Sequence, residues 1–122
     1  GKFFDDYSIE AQSPLFIAMI ESIEAVENLE KIIKVKGLDS ILIGPYDLSA
    51  SLGMTGEFNN KKFKDLISNI INICQLNNIA CGIHIVEPSH EEFALRLSEG
   101  YKFIPYSLDS VFLNNACCRP II

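Results

Sequence analysis

The 122-residue chain is the size of one domain, and with 48% apolar and only 21% charged residues it has the makings of a single core rather than a disordered segment. Its net charge of −6 excludes nucleic acid as a partner, because phosphate binding needs clustered Lys and Arg, and the one basic cluster (Lys61, Lys62 and Lys64) reads as a solvated helix face. No apolar run reaches the roughly 18 residues of a membrane span, and the opening stretch from Gly1 to Tyr7 has no apolar region of a signal peptide, so a cytoplasmic protein with no membrane partner is expected.

The first element in chain order is a continuous apolar run, Leu15 to Ile20, which predicts a strand buried on both faces. Ile23, Val26, Leu29, Ile32 and Ile33 follow at helical spacing, and Gly37 stops that helix. Ser40 to Gly44 is the second strand. Residues 45–60, rich in Gly, Ser and Asn, predict a loop with one short helical turn. Phe63, Leu66, Ile67, Ile70, Ile73 and Cys74 mark a long helix that Asn77 and Asn78 end. Ala80 to Val86 is the third strand. Ser89 and Glu92 form a capping box for a helix running to Gly100. Phe103 to Ser107 is the fourth strand, and Asp109 is the expected N-cap of a last, short helix.

Four β-α units in one chain predict an α/β domain of parallel strands with crossover helices. A small doubly wound sheet fits this pattern, and so does half of a (β/α)8 barrel, whose whole takes about 250 residues. The chain opens on Gly1 rather than Met, as a piece of a longer protein does.

Cys74 and Cys81 lie in apolar stretches and read as small core residues. With Cys117 and Cys118 they form neither a C-x-x-C pair nor a zinc-type spacing, so reduced thiols are expected. There is no G-x-S-x-G, G-x-G-x-x-G or Walker A sequence. His84 reads as a hydrogen-bonded residue inside the third strand, and His90 as an exposed one in the first turn of a helix.

Functional groups in both architectures gather at the carboxyl ends of the parallel strands. Glu21 and Asp47 stand there, just beyond the first and second strands. Two neighbouring carboxylates repel unless a cation lies between them, and hard oxygen ligands suit magnesium or manganese. The competing reading is that both simply cap the helices that follow. Asp39, Glu87 and Asp109 read as structural or peripheral.

The stretch Met19-Ile-Glu21 with Ala25-Val-Glu-Asn-Leu29 resembles the HpcH/HpaI aldolase family. So do Gly37-Leu-Asp-Ser-Ile-Leu-Ile-Gly-Pro-Tyr-Asp-Leu-Ser49, Ser51-Leu-Gly53, Cys81-Gly-Ile-His84 and the last unit from Gly100. The resemblance implies that residues 1–122 are the C-terminal half, strands five to eight, of a (β/α)8 TIM barrel. It implies Glu21 and Asp47 as ligands of Mg2+ or Mn2+, and Gly44, Pro45, Tyr46, Asp47 and Met19 as the substrate-binding residues. The implied activity is class II aldol cleavage of 2-keto-3-deoxy or 4-hydroxy-2-oxo acids to pyruvate and an aldehyde, in a homo-oligomer that exchanges its last helix. The chain departs from the family in two respects. Met19 stands where some members have Gln, and the catalytic His and Arg of the family belong to the first half of the barrel, so no catalytic residue is expected here. A non-catalytic half-barrel that binds a small acid or serves assembly is the alternative.

Overall fold

The computed structural model describes residues 4–117. Three strands, β1 (Ile17–Ile20), β2 (Ser40–Ile43) and β3 (Ala80–Ile83), lie in sequence order and pair in parallel. The register aligns Ile20 with Ile43 and Ile43 with Ile83. The expected fourth strand is reduced to two parallel bridges, Gly82 to Phe103 and Ile85 to Tyr106, so it neighbours β3 in the predicted direction without a continuous ladder. Left-handed backbone at Ser107, with φ of 65°, turns the chain away where that segment ends.

Side chains alternate across a strand, and here the two faces differ in their fate. Ile20, Ile41, Ile43, Cys81 and Ile83 point toward the helices and are buried with Leu29, Leu48, Phe63, Ile67, Ile70 and Cys74. Fully burying an aliphatic side chain contributes about 1.5–3 kcal/mol, so this face pins the register. A one-residue slip would bring Ser40 and Ala80 into the core in place of Ile41 and Cys81.

The opposite face is open along β1, while Ser40 and Gly82 on it are buried. Ile17 is 46% and Met19 53% exposed, so the expectation that the first strand is buried on both faces is corrected. Leu15 and Phe16 fall outside β1 and are also exposed. No described helix covers that face. Phe103 partly fills it: a Cβ placed on Gly82 would lie 2.5 Å from the tip of the Phe103 ring.

Seven helices are described: α1 (Phe4–Glu10), α2 (Ile23–Glu27), α3 (Leu29–Ile32), α4 (Pro45–Ser51), α5 (Lys61–Leu76), α6 (His90–Ser98) and α7 (Asp109–Ala116). The single helix expected over 23–33 is broken at Asn28, whose side chain turns back to donate to Glu24 O at 2.9 Å. Gly37, at φ of 92°, ends the segment as predicted. The expected single turn after β2 is a two-turn helix, α4, nucleated by Pro45 in its first turn. α5 ends at the expected asparagines, with Asn78 at φ of 55°.

Ser89 caps α6, accepting from the Glu92 N–H at 3.2 Å, but the reciprocal half of the capping box is absent because Glu92 turns to Arg96. Asp109 is the first residue of α7 rather than its cap. Its Oδ1 accepts from the adjacent Ser110 N–H, and Leu108 occupies the cap position with no side-chain bond. Cys118, expected as a reduced thiol beside Cys117, lies outside the described residues.

Candidate functional site

The carboxyl ends of β1 and β2 are neighbours in the sheet, and this places Met19, Glu21 and Gly44 together. A Cβ on Gly44 would meet the Glu21 Cβ at 3.4 Å, Glu21 Oε2 at 3.6 Å and Met19 Sδ at 3.7 Å. The missing side chain is what lets the Glu21 carboxylate lie against the backbone at the start of α4. Gly44 has φ of −93°, which any residue adopts, so its value here is space and not backbone freedom. Its N–H donates to Ile20 O at 3.1 Å and continues the ladder to the edge of the site.

Asp47 enters from the first turn of α4. The earliest intrahelical bond there runs from the Leu48 N–H to Gly44 O at 3.0 Å, so the Tyr46 and Asp47 amides precede it and point out of the helix start. Two serines hold this helix in place. Ser49, fully buried, donates to Tyr46 O at 2.7 Å and accepts from the Gly56 N–H at 2.9 Å, which folds the following loop under α4. Ser51 Oγ accepts from the Ile23 N–H at 3.0 Å and so ties the end of α4 to the turn that carries Glu21. The sequence reading assigned Ser51 no role. It figured only within the Ser51-Leu-Gly53 stretch of the resemblance, and a hydroxyl one helical turn from Asp47 is common on solvated faces.

The capping alternative fails for Glu21. The cap of α2 is Ser22, whose Oγ accepts from the Ala25 N–H at 3.1 Å, and the cap of α4 is Gly44. Both Glu21 and Asp47 are exposed, and among the described residues neither side chain has an ion pair or a hydrogen bond. The described residues bring together no group of three or more His, Cys, Asp and Glu side chains that could hold a metal. Glu21 Oε2 beside the open Gly44 cradle is a hard anionic oxygen of the kind that suits Mg2+ or Mn2+.

The other candidate groups are elsewhere or occupied. His84 Nε2 lies 3.3 Å from Ser107 O, the hydrogen-bonded setting expected of it, and His90 is exposed at the start of α6. Glu87 and Asp109 are exposed, and Asp39 Oδ2 accepts from the Phe16 N–H at 2.8 Å, a structural task. Tyr46 packs edge-on against Phe58 with ring centroids 4.9 Å apart, which turns it from the site toward α5. There it borders a groove of about 570 Å³ between α5 and α6 that reaches neither Glu21 nor Asp47. Arg96, in the groove wall, bonds Glu99 at 2.9 Å and Glu92 at 3.1 Å. Burial opposes its charge, but those two carboxylates outweigh it and hold its pKa above the ordinary value.

Residues 4–116 match the family model described as HpcH/HpaI aldolase/citrate lyase. A 2-keto-3-deoxy-L-rhamnonate aldolase of Klebsiella pneumoniae is 32% identical over 94% of this chain and 43% of its own length. One from Salmonella paratyphi B is 31% identical over 92% of this chain and 42% of its own. The chain therefore spans less than half the length of the curated relatives it matches. Among solved structures, an HpcH/HpaI aldolase from Desulfitobacterium hafniense superposes with a TM-score of 0.77 at 20% identity, over 94% of this chain and 45% of that one. A family protein from Burkholderia cenocepacia gives 0.76 at 26% identity, over 84% and 39%.

Proposed function

We propose, from the premise that this chain belongs to the HpcH/HpaI aldolase/citrate lyase family, that it is the metal-binding half of a class II aldolase. The parent reaction is cleavage of a 2-keto-3-deoxy or 4-hydroxy-2-oxo acid to pyruvate and an aldehyde. The reading rests above all on the Glu21 carboxylate lying in the Gly44 cradle beside the helix that carries Asp47.

Glu21 and Asp47 would hold Mg2+ or Mn2+, which when bound supplies Lewis-acid polarisation of the substrate keto group. The Tyr46 and Asp47 amides at the start of α4 would donate to the substrate carboxylate, where the helix end favours negative charge. Pro45 fixes the approach to those amides, and Gly44 leaves room for a ligand atom. Met19 Sδ lines the same spot with a surface that accepts apolar contact and cannot donate a hydrogen bond. His84 is engaged with Ser107 O, so the proton-transferring group is assigned to residues outside this chain.

The architectural counterpart of this reading is that the chain is strands five to eight of a (β/α)8 barrel. The open sheet face with Ile17 and Met19, the parallel order of the strands, and the relatives' greater length support it. The face would be covered by four further β-α units, and an uncovered one favours association into a homo-oligomer. No described helix is long and apolar enough to cross a membrane. The lack of an acid/base group at the site favours one second reading, that this chain alone binds a small 2-keto acid without turning it over.

Calorimetric titration of Mn2+, then pyruvate, into the wild type and into Glu21→Gln, Asp47→Asn and Glu87→Gln tests the assignment. Wild type and Glu87→Gln should bind alike, and the other two should lose Mn2+ binding and with it the pyruvate heat. Unchanged Mn2+ affinity in Glu21→Gln and Asp47→Asn would remove both residues from the site.

A further inference from the structure

Two thiols meet in the core at the amino-terminal end of the sheet, away from the carboxylates. Cys74, in the last turn of α5, is 0% exposed, and Cys81, in β3, is 4% exposed. Both belong to the same buried cluster and border the same cavity, and the Ile79 N–H, two residues before Cys81, donates to Cys74 O at 2.9 Å. The Cys81 thiol donates to Gly82 O at 3.8 Å. Only six residues, 75–80, separate the two cysteines, and they form the tight connection from helix to strand.

This pair is not sealed. A cavity of about 360 Å³ is lined by both cysteines together with Gln75, Asn78, Gly100 and Lys102. The Gln75 amide lies over Gly100, where an added Cβ would meet its Nε2 at 3.2 Å. A small solute therefore has room beside the two cysteines, under a Gln75 side chain that no hydrogen bond among the described residues holds.

We propose that Cys74 and Cys81 are a modification site, a dithiol that hydrogen peroxide entering this cavity converts to an intramolecular disulfide. Cys74 sulfur attacks one peroxide oxygen, the O–O bond breaks, and the departing hydroxide takes the thiol proton to leave as water. The sulfenic acid on Cys74 is then attacked by Cys81 sulfur. The S–S bond forms, and the sulfenic oxygen leaves with the Cys81 proton as a second water. Two thiols give up two electrons, and one peroxide accepts them. Cys74 is the attacking group because the neighbouring Cys81 thiol holds its pKa below the ordinary thiol value, while the Cys74 thiol and burial push Cys81 up. The product fastens the end of α5 to β3, and a thiol reductant reverses it.

The test is native treatment of the protein with hydrogen peroxide, acid quenching, alkylation of remaining thiols and peptide mapping by mass spectrometry. The expected product is a 74–81 link, lighter by two hydrogens, that disappears on reduction. In Cys81→Ala, Cys74 should stop at the sulfenic acid and be captured by dimedone. Exposed Cys117 is the internal standard. Oxidation of Cys117 with Cys74 and Cys81 left free overturns the proposal, and so does a 74–81 link that forms only in denaturant. The wild-type map decides between these outcomes even if the variant fails to fold.

Discussion

Gly82→Ala is the substitution for which the structure gives the most definite expectation. The new Cβ would stand 2.5, 2.6 and 2.7 Å from three atoms at the tip of the Phe103 ring. Ordinary contact begins near 3.4 Å, so the ring must retreat by about 1 Å. Overpacking of this kind costs about 1–3 kcal/mol, and replacing Gly by Ala within a strand returns about 0.5–1 kcal/mol through the unfolded chain. The net expectation is a loss of about 1–2 kcal/mol, toward the low end here because the ring borders the open face and can swing outward. Urea denaturation of wild type, Gly82→Ala, Phe103→Leu and the double variant measures it. The double variant should be more stable than the sum of the two single changes predicts, by on the order of 1 kcal/mol, since the smaller side chain removes the collision. Strict additivity, or a Gly82→Ala protein as stable as wild type, would refute the ring-over-glycine packing and with it the account of what partly fills that face.

Gly44→Ala should fold with a stability change of about 1 kcal/mol or less, since its contacts are ordinary ones, yet weaken Mn2+ binding at least about tenfold in calorimetry by filling the space beside Glu21 Oε2. Ser51→Ala removes the acceptor of the Ile23 N–H and should cost about 0.5–1 kcal/mol in urea denaturation, with a smaller loss of Mn2+ affinity than Gly44→Ala. Ser49→Ala, at a fully buried hydroxyl with two hydrogen bonds, should cost about 1–3 kcal/mol. Tyr101→Phe should be neutral or slightly stabilising at pH 7, because the buried Tyr101 hydroxyl has no described partner. Burial raises the Tyr101 pKa, so the folded state keeps a proton that the unfolded chain releases near pH 10; wild-type stability should fall above that pH, and thermal melts of Tyr101→Phe should fall less steeply.

Elements with strong periodicity were legible because burial on one side determines them. The α5 helix shows this best: Phe63, Ile67, Ile70 and Cys74 are its buried positions, and the same spacing predicted it. β2 was equally plain, ending one residue before the predicted Gly44. The first strand was misjudged for a tertiary reason. A continuous apolar run reads as burial on both faces only if both faces are covered, and the described residues cover one. The α2–α3 break was invisible because Asn28 competes for a backbone carbonyl through its own side chain, which spacing of apolar residues does not report. Glu21 and Gly44 were placed by pattern and resemblance, but that the glycine makes room for the carboxylate needed the parallel register of β1 and β2. α1, over Phe4–Glu10, went unremarked: it buries none of its residues and so leaves no periodic trace.

Some of the acidic residues are fastened to the fold by named bonds, and these give the structural standard against which Glu21 can be measured. Asp39 fastens Phe16, Asp109 its neighbour Ser110, Glu91 meets Ser89, and Glu92 and Glu99 hold Arg96. Each satisfies a donor that the fold presents. Glu21 and Asp47 satisfy none among the described residues, although the turn and the helix that carry them are fastened to each other through Ser51. Asp47, in the first turn of α4, is favoured by the helix dipole, whereas Glu21 caps no helix. Because Glu21 is exposed, Glu21→Gln should leave the unfolding free energy unchanged within a few tenths of a kcal/mol. A carboxylate that contributes to the fold behaves differently when it is replaced, and Asp39→Asn, which weakens the acceptor of the Phe16 N–H, should lower stability by about 0.5–1 kcal/mol. The difference between these two effects, read in the same urea titration, separates a carboxylate with a structural task from one without. Destabilisation by Glu21→Gln as large as that by Asp39→Asn would place Glu21 among the structural acids.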